Sequence, residues 1–444
     1  MSRIIESCRN HCALLGAIQT VRAVEGLLPI VHSTAGCGRQ EELGLGKQGG
    51  YQGQRAALPS SNVREKQIVF GGASRLREQI KNTVKTIEAD AYVVLSGCAT
   101  ELVGDDIPAM AKEAREQGYP VLQVAAPGFK GDVHQGYEAV VQGLLAYAVG
   151  LAPVQKHTQR GLINLLGIIP GQDVFWQGNL LALETLLQQA GLRVNRLFGL
   201  GQTIDNWTAA ASAELTLVLS PWGRKAAAYL EEKAGVPYLE VSRLPVGFTA
   251  TQRFLQQLGE RLELPAQQLA GLYAREEHRQ NYYLNQLAEV YFAAGVQREF
   301  AAVGESSFIL GLQEFLTGTT GLIPKLLIVT DPLAKEEQRR LQEQLEAELN
   351  SWGTELVFSE DRQDIVTSLS RYKVELVLGS LLEQAWAEQQ QLPFLPVSFP
   401  AGDRFWLSRS YLGFDGAVTL LEDLVGQIRQ SRRQDDHKDK ECAS

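Results

Sequence analysis

Long apolar runs are missing from this chain. Stretches such as Gly161–Gly171 stop after about ten residues, half of what a bilayer-spanning helix needs. An excess of basic charge is missing too. The 42 Lys and Arg are outnumbered by 51 Asp and Glu, giving a net charge of −9 and a pI near 5.4. That balance offers no electrostatic footprint for nucleic acid or anionic lipid. Only 16 prolines and little low complexity exclude a disordered, collagen-like or coiled-coil protein. Cysteine is scarce and uneven: Cys8, Cys12, Cys37 and Cys98 fall early, and none follows until Cys442. In a reducing compartment a disulfide framework is not expected, so clustered thiols point to buried structural residues or to metal. Cys8 and Cys12 precede any apolar stretch, which argues against a signal peptide. These absences describe a soluble, cytoplasmic protein with no membrane and no nucleic-acid partner.

What is present is an alternation of short apolar runs and amphipathic segments, the pattern of α/β domains built on parallel sheets. At 444 residues the chain calls for roughly three domains. Within residues 1–157, Leu28–His32, Ala91–Leu95 and Pro120–Val124 read as strands. Ala13–Val24, Gly71–Glu88, Ile107–Gln117 and His134–Val149 read as helices, and Gln67–Phe70 as a connection. After a linker at Ala152–Gln159 the pattern restarts over 158–295, with strands at Leu162–Ile169, Val194–Phe198 and Leu215–Leu219. Helices at Gly178–Gln189 and Arg224–Lys233 alternate with them, before a helical stretch from Gln252 to Ala294. A third unit, 296–428, has strands Glu299–Val303, Lys325–Thr330, Thr354–Phe358 and Val374–Leu378, then a return helix ending at Ile428. The charged segment 429–444 lacks periodicity and is expected to be disordered, with Cys442 an incidental thiol. The expected architecture is three Rossmann-like α/β domains with parallel sheets around a shared cleft.

Phosphate-binding loops fail on inspection. Gly44-Leu45-Gly46-Lys47-Gln48 has Glu41 and Gln48 where a P-loop needs Gly and Ser or Thr. Gly199-Leu200-Gly201 has Ile204 at the third glycine of a dinucleotide fingerprint. The cysteines are better placed. Cys12 opens an apolar helix, where backbone N–H groups and the helix dipole favour a thiolate. Cys37 and Cys98 follow strands, in the small-residue turns Ser33-Thr34-Ala35-Gly36-Cys37-Gly38 and Ser96-Gly97-Cys98. Loops at the carboxyl ends of parallel strands gather at one edge, so three thiols could converge there, with glycines allowing close approach. Each thiol taken singly also reads as a small buried hydrophobe. Zinc would want paired C-x2-C spacing, which is absent; three spread thiolates suit an iron–sulfur cluster completed from elsewhere. His32 reads as a satisfied strand-end histidine or a hydrogen-bonding neighbour of the cluster. Glu101 and Asp105-Asp106 read as an acid/base group or, for the aspartates, as the N-cap of the helix from Ile107.

Several of these segments resemble one family. His11-Cys12-Ala13-Leu14-Leu15-Gly16-Ala17 and Leu28-Pro29-Ile30-Val31-His32-Ser33-Thr34-Ala35-Gly36-Cys37 are similar to the opening of β-type subunits of nitrogenase component 1. Val69-Phe70-Gly71-Gly72 resembles the next motif, and Gly97-Cys98-Ala99-Thr100-Glu101-Leu102-Val103-Gly104-Asp105-Asp106-Ile107 the third cysteine motif. Ser398-Phe399-Pro400, Asp403-Arg404 and Gly413-Phe414-Asp415-Gly416-Ala417 resemble the β-type ending, so the likeness covers almost the whole chain.

The resemblance implies that Cys12, Cys37 and Cys98 ligate an iron–sulfur cluster, either an [8Fe-7S] P-cluster or a [4Fe-4S] cluster, at an interface with an α-type subunit. It further implies an α2β2 assembly and an ATP-hydrolysing iron protein as electron donor, with the active-site metallocofactor on the α-type chain. Pro127-Gly128-Phe129 stands where some nitrogenases have a serine able to ligate the oxidised cluster. Gly128-Phe129-Lys130-Gly131 is closer to α-type chains, and Leu217–Trp222 carries no cofactor-binding cysteine. These departures favour a nitrogenase-like paralogue. The expected function is an electron-relay subunit of a two-component reductase; the alternative is a scaffold on which a complex metallocluster is assembled.

Overall fold

The computed structural model describes residues 9–38, 58–151, 158–402 and 406–442, with backbone alone at residue 151 and beyond residue 432. Cys8, the Gly44–Gln48 segment and most of the expected linker at Ala152–Gln159 lie outside the described residues. The chain forms two compact units. One comprises Asn10–Leu180 and Leu192–Glu240, the other Met1–Arg9, Leu181–Gly191 and Val241–Ser444. Every strand pairing is parallel. Among the described residues no helix is long and apolar enough to cross a membrane.

In the first unit, helix α1 (Ala13–Arg22) leads into strand β1 (Leu27–His32). Among the described residues a helical turn over 35–38 follows, then α2 (Glu65–Phe70), α3 (Ala73–Thr86), β2 (Ala91–Ser96), α4 (Cys98–Val103), α5 (Ile107–Glu116), β3 (Val121–Ala125) and α6 (Val133–Leu151). The strands form a sheet in the order β1-β2-β3. All residues of β1 and β2 are buried, as expected of parallel strands covered on both faces. Leu28, Ile30, Tyr92 and Val94 pack against Leu76 and Ile80 of α3 and Ile107 and Ala111 of α5. Gln67–Phe70, read from sequence as a connection, is instead part of the short helix α2. It buries no residue and stops at Gly71, whose φ of +90° suits glycine, so no apolar period marked it.

A second sheet in the same unit contains β4 (Gln159–Leu166), β5 (Arg193–Asn195), β6 (Ala213–Val218) and β7 (Tyr238–Glu240), in the order β5-β4-β6-β7. Helices α7 (Trp176–Gln189), of which only the part up to Leu180 belongs to this unit, α8 (Ile204–Ala209) and α9 (Arg224–Ala234) accompany it. Strand β7, absent from the sequence reading, is only three residues long and half-buried, too short to show a period. Helix α6 joins the two layers: it packs on α1 and β3, and also on α8 and α9. Its Tyr137 is fully buried, and the phenol oxygen accepts a hydrogen bond from Gly167 N at 3.0 Å. Desolvation pushes the Tyr137 pKa beyond the ordinary phenol range, so it remains neutral.

The crossing of α1 and α6 is unusually close. A Cβ added to Gly136 would lie 2.1 Å from Ala13 O, and one added to Gly16 would lie 2.4 Å from Val133 O. Backbone touches backbone there, so neither helix could carry even alanine without moving.

The other unit is built on β8 (Glu299–Gly304), β9 (Ile323–Val329), β10 (Glu355–Phe358), β11 (Leu376–Gly379) and β12 (Phe394–Pro396), ordered β10-β9-β8-β11-β12. Its helices are α10 (Gly247–Arg261), α11 (Ala266–Ala294), α12 (Ser306–Gly318), α13 (Lys335–Trp352), α14 (Arg362–Arg371), α15 (Leu381–Gln389) and α16 (Gly413–Cys442). The expected helical stretch 252–294 is two helices, because Glu263 takes φ +53° and Pro265 precedes the first turn of α11. The charged segment after Ile428, expected without regular structure, continues the α16 backbone to Cys442, consistent with its Arg, Gln, Lys and Glu content. Within this unit Arg9 is 1% exposed; it donates to Phe399 O at 2.9 Å and to Glu383 Oε1 at 2.5 Å.

Gly136→Ala should lower stability by about 1–3 kcal/mol through overpacking. The change should appear as a lower urea midpoint without altered cooperativity, whereas Gly271→Ala, exposed on α11 with nothing within 4 Å and an ordinary helical φ, should cause no loss.

Candidate thiol site at the carboxyl edge of the first sheet

Register explains why the cysteines meet. His32 pairs with Ser96, and Ser96 with Ala125, so the three strands of the first sheet end side by side. A helical turn over residues 35–38 after β1 carries Cys37. Cys98 is the first residue of α4, immediately after β2. The chain leaving β3 passes Pro127 into a single 3-10 turn, Gly128–Lys130. Cys12 arrives from the other direction as the N-cap of α1. It is held against the start of α6 by a bridge to Asp132, with Ala13 N donating to Gly131 O at 3.1 Å and Val133 N donating to His11 O at 2.8 Å.

Gly128 lies between two of the thiols. A methyl group at that position would be 3.4 Å from Cys98 Sγ and 3.6 Å from Cys12 Sγ, so one small volume is bordered by both sulfurs. Gly128 N also donates to Cys98 Sγ at 3.1 Å. The Cys37 sulfur accepts from Ser33 Oγ at 3.1 Å and lies 3.7 Å from Thr34 Oγ1. Cys37 is near enough for its charge to act on Cys12, as does that of Cys98. All three are free thiols, Cys12 exposed and the other two half-buried. Among the described residues no three His, Cys, Asp or Glu side chains are arranged to hold a single metal ion.

Cys12 departs from the sequence expectation. Although the residue as a whole is exposed, protein atoms crowd its sulfur, and desolvation pushes the thiol pKa up. The backbone N–H groups of Leu15 and Leu14 oppose that rise, while Cys37 and Cys98 add to it. The helix terminus acts in the expected direction and is outweighed.

The neighbouring polar groups sort themselves out. Asp106 caps α5, accepting from Ala109 N at 3.1 Å. Asp105 does not cap; its Oδ1 accepts from Gly72 N at 2.6 Å and its Oδ2 lies 3.0 Å from His32 Nε2. Glu101 accepts a hydrogen bond from Ser96 Oγ, and its other oxygen is 3.9 Å from Lys130 Nζ. The hydrogen bonds of Ser33 and Gly128 to the sulfurs were not read from the sequence, although the resemblance places Pro127-Gly128-Phe129 at the expected cluster position. Around the thiols several apolar side chains face solvent: Val69 and Phe70 at the end of α2, Leu102 on α4, and Phe129 beside Gly128.

The model of the family described as nitrogenase component 1 type oxidoreductase matches residues 12–429, beginning at the first of the three thiols. The chain belongs to that family. Among nitrogenase component 1 relatives, the molybdenum-iron protein beta chain of Bradyrhizobium diazoefficiens (strain USDA 110) is 24% identical, over 94% of this chain and 83% of the relative. The vanadium-iron protein beta chain of Trichormus variabilis is 25% identical, over 94% and 92%. The solved structure titled "Nitrogenase Cp1 at pH 6.5" superposes with a TM-score of 0.80 at 21% identity, covering 98% of this chain and 95% of that one, which establishes the shared fold. Within the nitrogenase component 1 family this chain is of the β type.

A raised thiol pKa means less thiolate at neutral pH. Metal-free protein treated with iodoacetamide at pH 7 should therefore modify Cys12 several-fold more slowly than a free thiol. The rate should keep climbing as the solution is made alkaline, as quantitative mass spectrometry of the Cys12 peptide would show.

Proposed function

We propose that this chain is the β-type subunit of a nitrogenase-like two-component reductase, with Cys12, Cys37 and Cys98 as ligands of an iron–sulfur cluster completed by an α-type partner. The observation that carries the reading is the pair of sulfurs from Cys12 and Cys98 bordering one volume that a single Cβ at Gly128 would fill. The donor chemistry fits. Thiolates are the ordinary ligands of iron–sulfur clusters, and N–H and O–H donors to sulfur, here from Gly128 and Ser33, are a standard means of tuning such a site. A cluster bound there supplies one-electron transfer.

The chain's own residues would hold and shield it. Gly128 keeps space between the sulfurs, Ser33 and Gly128 donate to them, and the stem of α1 fixes Cys12. Three thiolates from one chain leave the remaining ligands to the partner, in keeping with an [8Fe-7S] or a shared [4Fe-4S] cluster. The apolar group Val69, Phe70, Leu102 and Phe129 suits burial against other subunits, the α-type chain and an ATP-hydrolysing iron protein. An α2β2 stoichiometry and a cytoplasmic, oxygen-sensitive complex complete the proposal. In keeping with the family resemblance, ATP hydrolysis is assigned to the iron protein and substrate chemistry to the α-type chain; neither glycine-rich segment here meets the requirements of a nucleotide loop.

Anaerobic co-expression with the α-type partner should yield a brown complex with stoichiometric iron and sulfide and a cluster EPR signal. Cys37→Ala and Cys98→Ala should each lose most of both, and Gly128→Ala should retain less iron than wild type while keeping the partner bound. Wild-type iron and EPR in the two cysteine variants would refute the assignment.

A further inference from the structure

His32 ends β1 and is fully buried. Its Nε2 lies 3.0 Å from Asp105 Oδ2, and the carboxylate is fixed by Gly72 N on its other oxygen. An acceptor at Nε2 makes that nitrogen the N–H and leaves Nδ1 as the basic one. Nδ1 lies 2.9 Å from Ser61 Oγ, which is itself 3.4 Å from Ser33 O. Two hydrogen-bond patterns are compatible with this arrangement, the second relying on the longer contact to Ser33 O. With the ring neutral, the Ser61 hydroxyl donates to Nδ1. With the ring protonated, Nδ1 donates to Ser61 Oγ and the hydroxyl turns to Ser33 O. One rotation separates the two, and neither strands a buried polar atom. Ser33 is also the residue whose hydroxyl donates to Cys37 Sγ, so the network reaches the thiol site through that residue.

We propose that His32 takes up one proton from solvent at Nδ1 when one electron reaches the cluster, with Ser61 the rotor that accommodates it. The inference rests on the cluster reading above. The electron comes from a low-potential one-electron donor, no bond other than N–H is made, and the added negative and positive charges offset one another locally. His32 is a positioning and charge-compensating residue, not a ligand.

The surroundings set the resting state. Burial lowers the His32 pKa below its ordinary 6.5, more than Asp105 and then Glu101 raise it, so the ring starts neutral. The charged groups facing it are Asp105, Glu101 of α4 with Lys130 beyond it, and Arg75 of α3. Arg75 Nε donates to Ser61 O at 3.0 Å while its Nη1 pairs with Glu78 at 2.8 Å. A further negative charge at the thiol edge raises the ring's pKa, because unlike charges attract strongly where water is excluded.

The test is a redox titration of the anaerobic complex followed by EPR, repeated from about pH 6 to pH 8, where an imidazole titrates. Wild type should show a potential that falls with rising pH by one proton per electron over part of that range. His32→Gln keeps a donor for Asp105 and an acceptor for Ser61 but cannot titrate, and its potential should be independent of pH. Ser61→Ala removes the acceptor for the charged ring and should move the sloping region to lower pH. A wild-type slope retained in either variant, or a flat potential in an iron-replete wild-type complex, overturns the proton step alone. A wild-type complex without iron removes the cluster reading, and this inference with it.

Discussion

The arrangement depends first on two helices that touch through their backbones. Gly16 on α1 and Gly136 on α6 allow an approach that any side chain would block, and Cys12 lies at the end of that contact. Because α6 also packs on β3 and on α8 and α9, its position is fixed by several neighbours besides α1. Cys12 inherits that rigidity through its bridge to Asp132. The other thiols inherit theirs from parallel strands, whose register aligns His32, Ser96 and Ala125. The site is thus rigid because its supports are the most buried parts of the unit.

Much of this was legible in the sequence. The buried strands stood out as unbroken apolar runs, and Cys37 and Cys98 could be assigned to the turns following them because a parallel sheet puts such turns on one edge. Cys12 was legible as a helix start. What could not be read was anything requiring an address in space. Gly128 is thirty residues from Cys98 in the chain and becomes its hydrogen-bond donor only through the position of β3. Asp105 and Asp106 both look like caps, and only packing assigns one to α5 and the other to His32. Short elements escaped for a different reason: α2 buries nothing and β7 has three residues, so neither generates a period.

Electrostatics at the edge run against the simplest expectation. A helix N-terminus alone would favour thiolate at Cys12, yet desolvation of the sulfur outweighs it, with the two other thiols adding a smaller rise. A bound cation at Cys12 would offset the desolvation that raises its thiol pKa, supplying the positive charge that the helix terminus does not. The same low polarity lowers the pKa of His32 despite the neighbouring Asp105.

The bare Phe70 and Leu102 side chains carry a meaning for the life of the chain before assembly. Ordinary soluble surfaces do not gather greasy residues around free thiols, and a polypeptide left in that condition is prone to stick to itself. If the proposed α-type partner covers these side chains, synthesis of the two chains has to be matched, or this one guarded by a chaperone until the partner arrives. An orphaned copy would be removed by proteolysis or lost to aggregates rather than stored.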